Sequence, residues 1–335
     1  MKAAIAAIYA CILLCVLLVA IFSSLLLFYQ PGVSAETSSS LSASLQYRDV
    51  PYASLSPAQK LDIYMPAIGK GPWPVVIWIH GGCWAGGDKS LATDSDSNLS
   101  MKKHVLSLIE RGYAVVSINY RLTGEAKFPA QIHDVKAAIR WVRANAGRYG
   151  FDADRIGVWG SSAGGHLAAL AGTSGDVDEL ENLSLGNPKE SSRVQAVVDY
   201  YGPAGLGERV EHAIESDAGL SPDALPLLRA LIGTDNLKEG LDTVKALDPV
   251  TYISPDDPPF FIAHGTNDSV VPAGQSVEFY KKLRKVIGPH NVELLIFDGA
   301  GHGDAAFMRE AVSADNLARL YAFLDKNLKP RTFYA

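Results

Sequence analysis

The sequence predicts an α/β fold: a mainly parallel, doubly wound sheet with helices on both faces and a small cap or lid inserted over one edge. Two observations carry that prediction. Short, nearly continuous apolar runs rich in β-branched residues recur at Val75–Ile79, Ala114–Ile118, Ile156–Trp159, Val194–Val198, Phe260–Ala263 and Val292–Phe297, the composition of strands buried on both faces. Helical patterns separate most of these runs, and strands alternating with helices pack as a parallel sheet joined by right-handed crossovers.

The chain has 335 residues, 48% of them hydrophobic, enough for one large domain. After Lys2 no charged residue occurs from Ala3 to Phe28, which reads as an export or anchoring segment. The run exceeds the roughly 7–15 apolar residues of a signal-peptide core. Because a helix of about 20 residues already crosses a bilayer core of about 30 Å, the length suits a membrane anchor through residues 3–28. The alternative is cleavage after Ala35, where Val33-Ser34-Ala35 supplies the small residues a signal peptidase accepts. Residues 1–35 are therefore expected to be a signal peptide or a transmembrane anchor, residues 36–44 a Ser-rich linker, and residues 45–335 an exported catalytic domain, held at the membrane or secreted or periplasmic.

Of three cysteines, Cys11 and Cys15 lie in the apolar segment, so Cys83 stands alone in the remainder and no intramolecular disulfide is available there. The net charge is −6, with both signs interspersed and no basic stripe, which argues against a nucleic-acid partner.

The elements then follow in order. Leu45–Tyr52 and Lys60–Tyr64 alternate in polarity and are separated by turn residues, as antiparallel edge strands are. Gln131–Arg148 puts Ile132, Val135, Ala138, Ile139 and Val142 on one helical face, and Ala305–Leu328 closes the chain in the same manner. Between Gly202 and Asp256 the alternation lapses: helical pieces such as Pro222–Ile232 occur without a core strand, and this insertion at 202–256 is the expected cap or lid.

Ligands of doubly wound sheets gather at the carboxyl ends of the strands. Four turns there are chemically suggestive: His80-Gly81-Gly82-Cys83-Trp84, Gly160-Ser161-Ser162-Ala163-Gly164, His264-Gly265-Thr266-Asn267-Asp268 and Asp298-Gly299-Ala300-Gly301-His302. The second fits G-x-S-x-G between an apolar strand and a small-residue helix, the context of a nucleophile elbow centred on Ser162. A serine hydroxyl needs an imidazole to take its proton, and the imidazole needs a carboxylate to fix its tautomer. His302 and Asp268 are the candidates for those roles, with Asp298 as the competing acid. Gly82, Cys83 and Ala163 are the candidate N–H donors for the oxyanion, and Trp84 and Tyr120 the candidate substrate contacts. His80, His166 and His264 read as structural, and no Cys/His spacing suggests a metal.

Taken together, His80–Trp84, Gly86-Gly87-Asp88-Lys89, Asn119-Tyr120-Arg121-Leu122, Gly160–Gly165 and the Asp268 and His302 turns resemble the α/β-hydrolase esterase/lipase superfamily, most closely its branch with an HGGxW oxyanion loop. The resemblance runs from about Leu45 to Leu328. It implies the α/β-hydrolase fold and hydrolysis of small to medium carboxylic esters through an acyl-enzyme, with no cofactor or metal. Cys83 departs from it, since many relatives carry a third glycine there. Two other readings stay open: an amide-cleaving relative, kynurenine-formamidase-like or peptidase-like, and a non-catalytic binding module of the same fold.

Overall fold

The computed structural model describes residues 45–90, 96–216 and 224–330. The expected signal or anchor at 1–35 and the linker at 36–44 lie outside the described residues. Among those described, no helix is long and apolar enough to cross a membrane.

Eight strands form one sheet: β1 Leu45–Pro51, β2 Lys60–Tyr64, β3 Trp73–Ile79, β4 Ala114–Ile118, β5 Phe151–Ser161, β6 Ala196–Tyr200, β7 Phe260–Gly265 and β8 Val292–Phe297. Their spatial order is β1-β2-β4-β3-β5-β6-β7-β8. The two expected edge strands pair antiparallel, β1 with β2 and β2 with β4, and every other pair is parallel. The apolar runs are continuous because both faces are covered. In β3, Val75, Ile77 and Ile79 enter one core, whereas Val76 and Trp78 enter the other.

The helices are α1 Asp96–Glu110, α2 Ala130–Ala144, α3 Ala146–Tyr149, α4 Ala163–Thr173, α5 Leu206–Ser216, α6 Ala224–Ile232, α7 Leu237–Leu247, α8 Gly274–Ile287, α9 Ala305–Ala311 and α10 Ala314–Leu328. The first core takes Ile132, Val135 and Ile139 of α2, Leu167 and Leu170 of α4, and Phe279 and Leu283 of α8. The second takes Val105 and Leu108 of α1 and Leu320, Phe323 and Leu324 of α10. Within 202–216 and 224–256 no strand occurs; α5, α6 and α7 follow β6 there.

Two expected helices are each divided in two. The pattern at Gln131–Arg148 breaks at Asn145, whose side-chain amide donates back to the Trp141 carbonyl at 2.9 Å and so ends α2. The pattern at Ala305–Leu328 breaks at Val312-Ser313, where the Asn316 amide satisfies the Glu310 carbonyl at 2.9 Å. Strand β6 also sits two places later than the apolar run suggests, because pairing with β5 starts at Ala196 opposite Gly157.

A buried ion pair ties the sheet's strand-end loops to α2. Arg121, just past β4, grips the fully buried Asp134 through Nε and Nη2 at 2.8 Å, and Asp134 also accepts from the Gln59 amide at 2.7 Å. Removing one partner of such a pair leaves the other charge uncompensated, so Asp134→Ala is expected to lower stability by about 3–5 kcal/mol in urea unfolding. On the opposite face, His104 is buried beside Trp159 and meets the Tyr200 hydroxyl at 3.0 Å. Burial pushes its pKa down from 6.5 to about 3, so the folded state keeps it neutral where the unfolded chain binds a proton. Its stabilising contribution is complete above pH 6.5 and is lost as pH falls toward 3, at up to about 1.4 kcal/mol per pH unit. His104→Gln, which cannot titrate, is expected to flatten the acid limb of stability against pH, as read from urea midpoints.

Candidate active site

The site is built where β5 meets α4. Ser162 stands between them with φ 54° and ψ −122°, a backbone state that a non-glycine residue holds only when its surroundings impose it. The imposition is close packing. A Cβ on Gly160 would lie 2.1 Å from the Gly164 carbonyl oxygen, and one on Gly164 would lie 2.0 Å from the Ile79 carbonyl oxygen. Both positions therefore exclude any side chain, and the hydroxyl of Ser162 is carried out of the turn.

The loops after β7 and β8 deliver the partners. His302 accepts from the Ser162 hydroxyl through Nε2 at 2.9 Å and donates from Nδ1 to Asp268 Oδ2 at 2.7 Å. Asp268 Oδ1 accepts from the backbone N–H groups of Val270 and Val271 at 2.9 and 2.8 Å. Burial opposes the charge on Asp268, but hydrogen bonds from His264, His302 and Val271 outweigh it and hold the carboxyl well below the usual carboxylate range. Asp298, the competing acid, instead accepts from the Thr266 hydroxyl at 3.1 Å in an exposed turn. His264 does more than pack. Its Nε2 faces two acceptors, the Val271 carbonyl at 2.7 Å and Asp268 Oδ2 at 3.2 Å, so that nitrogen carries a proton, while Nδ1 lies 2.7 Å from the Ser276 hydroxyl. His264 is thus a second imidazole N–H on the acid.

The loop after β3 faces Ser162 from the other side. Gly82 and Cys83 both have positive φ, at 107° and 57°, and their N–H groups have no partner among the described residues. The Ala163 N–H opens α4, where helix geometry leaves it unpaired. The loop is fastened at its far end: Asn119 accepts from the Lys89 N–H at 2.5 Å and donates to Asp88 at 2.8 Å, while Lys89 Nζ contacts Asp49 and Asp62 at 2.7 and 3.0 Å. It is fastened at the near end by Trp84, whose indole N–H donates to His166 Nδ1 at 3.2 Å as His166 Nε2 donates to the Leu247 carbonyl at 2.8 Å. Burial pushes the His166 pKa down to about 4, consistent with a neutral ring serving both bonds.

Two cavities meet at Ser162 and Cys83. The smaller, about 120 Å³, is largely apolar and lies between the elbow and the helices α5 and α6, with Trp84, Ala163, Leu206, Val210 and Leu227 on its walls. The larger, about 470 Å³, is more polar and is bordered by His80, Gly82, Ser161, Tyr201 and His302. Trp84 therefore reaches a cavity wall, whereas Tyr120, also expected to contact substrate, does not. Tyr120 is buried behind the loop, stacked on His80 at 4.5 Å and donating to the His80 carbonyl at 3.1 Å. Its hydroxyl is spent on the oxyanion loop's backbone. Sequence reasoning missed Tyr201, whose ring meets that of His302 edge-on at 4.7 Å. Its position directly after β6, at a strand's carboxyl end, was the available signal. Among the described residues no cluster of His, Cys, Asp and Glu is arranged to hold a metal ion.

This arrangement can activate a hydroxyl, hold a negative oxygen and shelter an apolar group beside both. Comparison with known proteins agrees with it. The BD-FAE family model matches residues 61–283. The probable carboxylic ester hydrolase LipM of Mycobacterium tuberculosis is 36% identical over 244 residues, covering 71% of this chain and 52% of its own, and esterase LipC of the same organism is 34% identical over 255 residues, covering 74% and 57%. The chain thus spans about half the length of the curated relatives it matches. Among solved structures, a truncated form of a carbohydrate esterase from gut microbiota is 32% identical with a TM-score of 0.72, covering 86% of this chain and 98% of that one. Thermogutta terrifontis esterase 2 phosphonylated by sarin is 26% identical with a TM-score of 0.66, covering 84% and 95%. With its sheet order, elbow and family match in agreement, the chain belongs to the BD-FAE family of α/β-hydrolase-fold proteins.

Proposed function

We propose that this chain is a serine carboxylic-ester hydrolase that acts through an acyl-enzyme on small to medium acyl esters. The observation that carries the reading is the unbroken hydrogen-bond chain from Ser162 through His302 to Asp268, at 2.9 and 2.7 Å, opposite the unspent N–H groups of Gly82 and Cys83. Ser162 Oγ attacks the ester carbonyl carbon as its proton passes to His302 Nε2. The carbonyl π pair moves onto oxygen, and the N–H groups of Gly82, Cys83 and Ala163 receive that charge. Asp268 keeps Nδ1 protonated and stabilises the imidazolium. When the intermediate collapses, the bond to the alcohol oxygen breaks and His302 returns the proton to it. Water, activated by the same imidazole, then attacks the acyl carbon and frees Ser162 together with the acid.

The names of the relatives, esterase and carboxylic ester hydrolase, support this reading. In it the insertion at 202–256 serves as the cap, since α5 and α6 wall the apolar cavity beside the nucleophile. The uncharged run from Ala3 to Phe28 supports export of the catalytic domain, and N-terminal sequencing of the expressed protein would separate an anchor from a cleaved signal.

Ser162→Ala is expected to abolish p-nitrophenyl butyrate hydrolysis and labelling by a fluorophosphonate, with the circular dichroism spectrum retained; undiminished turnover would overturn the assignment of the nucleophile. Asp268→Asn leaves a neutral amide where the imidazole needs an acceptor, and kcat is expected to drop about 10⁴-fold with little change in KM.

A further inference from the structure

The apolar cavity beside Ser162 contains two features that an apolar acyl chain would not use. Gln275, at the start of α8, is 8% exposed and lies on the cavity wall. Its Oε1 accepts from the Ala204 backbone N–H at 3.1 Å. Because a backbone N–H can only donate, this bond fixes which end of the amide is oxygen, and Nε2 is left with no partner among the described residues. The second feature is Arg209 of α5, on the same wall. Its neighbours on the helix are engaged: Glu208 with Lys282 at 2.5 Å and Glu211 with Lys245 at 2.9 Å. Arg209 itself is exposed and has no ion-pair partner among the described residues, and no Asp or Glu among them lines the cavity. A largely apolar space beside Ser162 is therefore bordered by an arginine and by an unspent amide donor.

We propose that this cavity is an acyl subsite for short acyl groups ending in a carboxylate, with Arg209 and the Gln275 amide as the groups that recognise it. The inference rests on the reading of Ser162 as an ester-attacking nucleophile. The guanidinium fork matches the two oxygens of a carboxylate, and a primary amide donates a further hydrogen bond to the same acceptor. A cavity of about 120 Å³ has room for a short acyl group such as a succinyl half-ester. The methylenes between the ester and the carboxylate would lie against Leu206, Val210 and Leu227.

Three methyl esters of matched size test this with the full-length protein: monomethyl succinate, methyl 4-methylpentanoate as its apolar isostere, and methyl levulinate as its neutral oxygenated counterpart. Rates are followed by pH-stat, with p-nitrophenyl butyrate as a check on ester hydrolysis itself. The expected result is a kcat/KM at least tenfold higher for the succinate ester than for the isostere, with levulinate between them. Arg209→Gln should collapse the succinate-to-isostere ratio at least tenfold. Gln275→Glu, which keeps the acceptor for Ala204 but replaces the donor with an anion, should lower it in the same direction. Equal or faster turnover of the isostere, alongside normal p-nitrophenyl butyrate hydrolysis, overturns the subsite and leaves ester hydrolysis standing. Levulinate turned over as well as succinate overturns the anionic assignment. Failure to hydrolyse any of the four esters overturns both readings.

Discussion

The whole site depends on a contact between main chains. At the elbow, Gly164 lies so near the end of β3 that a single added methyl carbon would stand 2.0 Å from the Ile79 carbonyl oxygen and 2.6 Å from that of His80. This closeness fixes two things together. It sets the turn that pushes Ser162 into positive φ, and it brings the first turn of α4 against the start of the loop after β3, where the N–H groups of Gly82 and Cys83 have no partner among the described residues. Electrostatic stabilisation of a developing charge depends on donors already in position, so the value of these N–H groups lies in what holds them there. A larger residue at Gly164 would push the first turn of α4 away from the loop after β3.

Around that contact, histidines serve as rigid two-ended connectors. His166 spans from the Trp84 indole to the Leu247 carbonyl, and His264 spans from the Ser276 hydroxyl to Val271 and Asp268. A buried imidazole suits such work because its two ring nitrogens stand at fixed angles with little side-chain freedom left to lose. The arrangement also makes Asp268 a strongly held anion: both its oxygens are engaged, by two backbone N–H groups and two imidazoles, which hold its carboxyl well below the usual carboxylate range.

What the sequence reveals follows the strength of the local constraint. The elbow is legible because only glycine fits at positions 160 and 164, and the strand runs are legible because burial on both faces removes polar residues from them. The Ser162, Asp268 and His302 turns are legible for a related reason, since chain order and strand-end position restrict the choices. Helix interruptions are not, for nothing in the periodicity distinguishes Asn145 turning back on Trp141 from an ordinary exposed asparagine. Tyr120 misleads in the opposite way: a strand-end aromatic has the same appearance whether it faces a ligand or braces a backbone carbonyl. Gln275 carries no motif at all, and only the packing of distant segments gives it a place beside the apolar cavity.

This division has a consequence for how the molecule can vary. The side chains of Ser162, His302 and Asp268 are held by main-chain contacts and buried hydrogen bonds. The groups that border the apolar cavity come largely from α5, α6 and the start of α8, and they contact the chemistry only through the space they enclose. Cys83 is the exception that joins the two sets. Its N–H has no partner among the described residues and the residue borders both cavities, so a change of side chain there would reshape the cavities without removing that N–H. Its φ of 57° limits that freedom, however, because bulky or β-branched residues resist the left-handed region. Small residues are therefore favoured at position 83, and larger changes in the shape of the apolar cavity fall to α5 and α6.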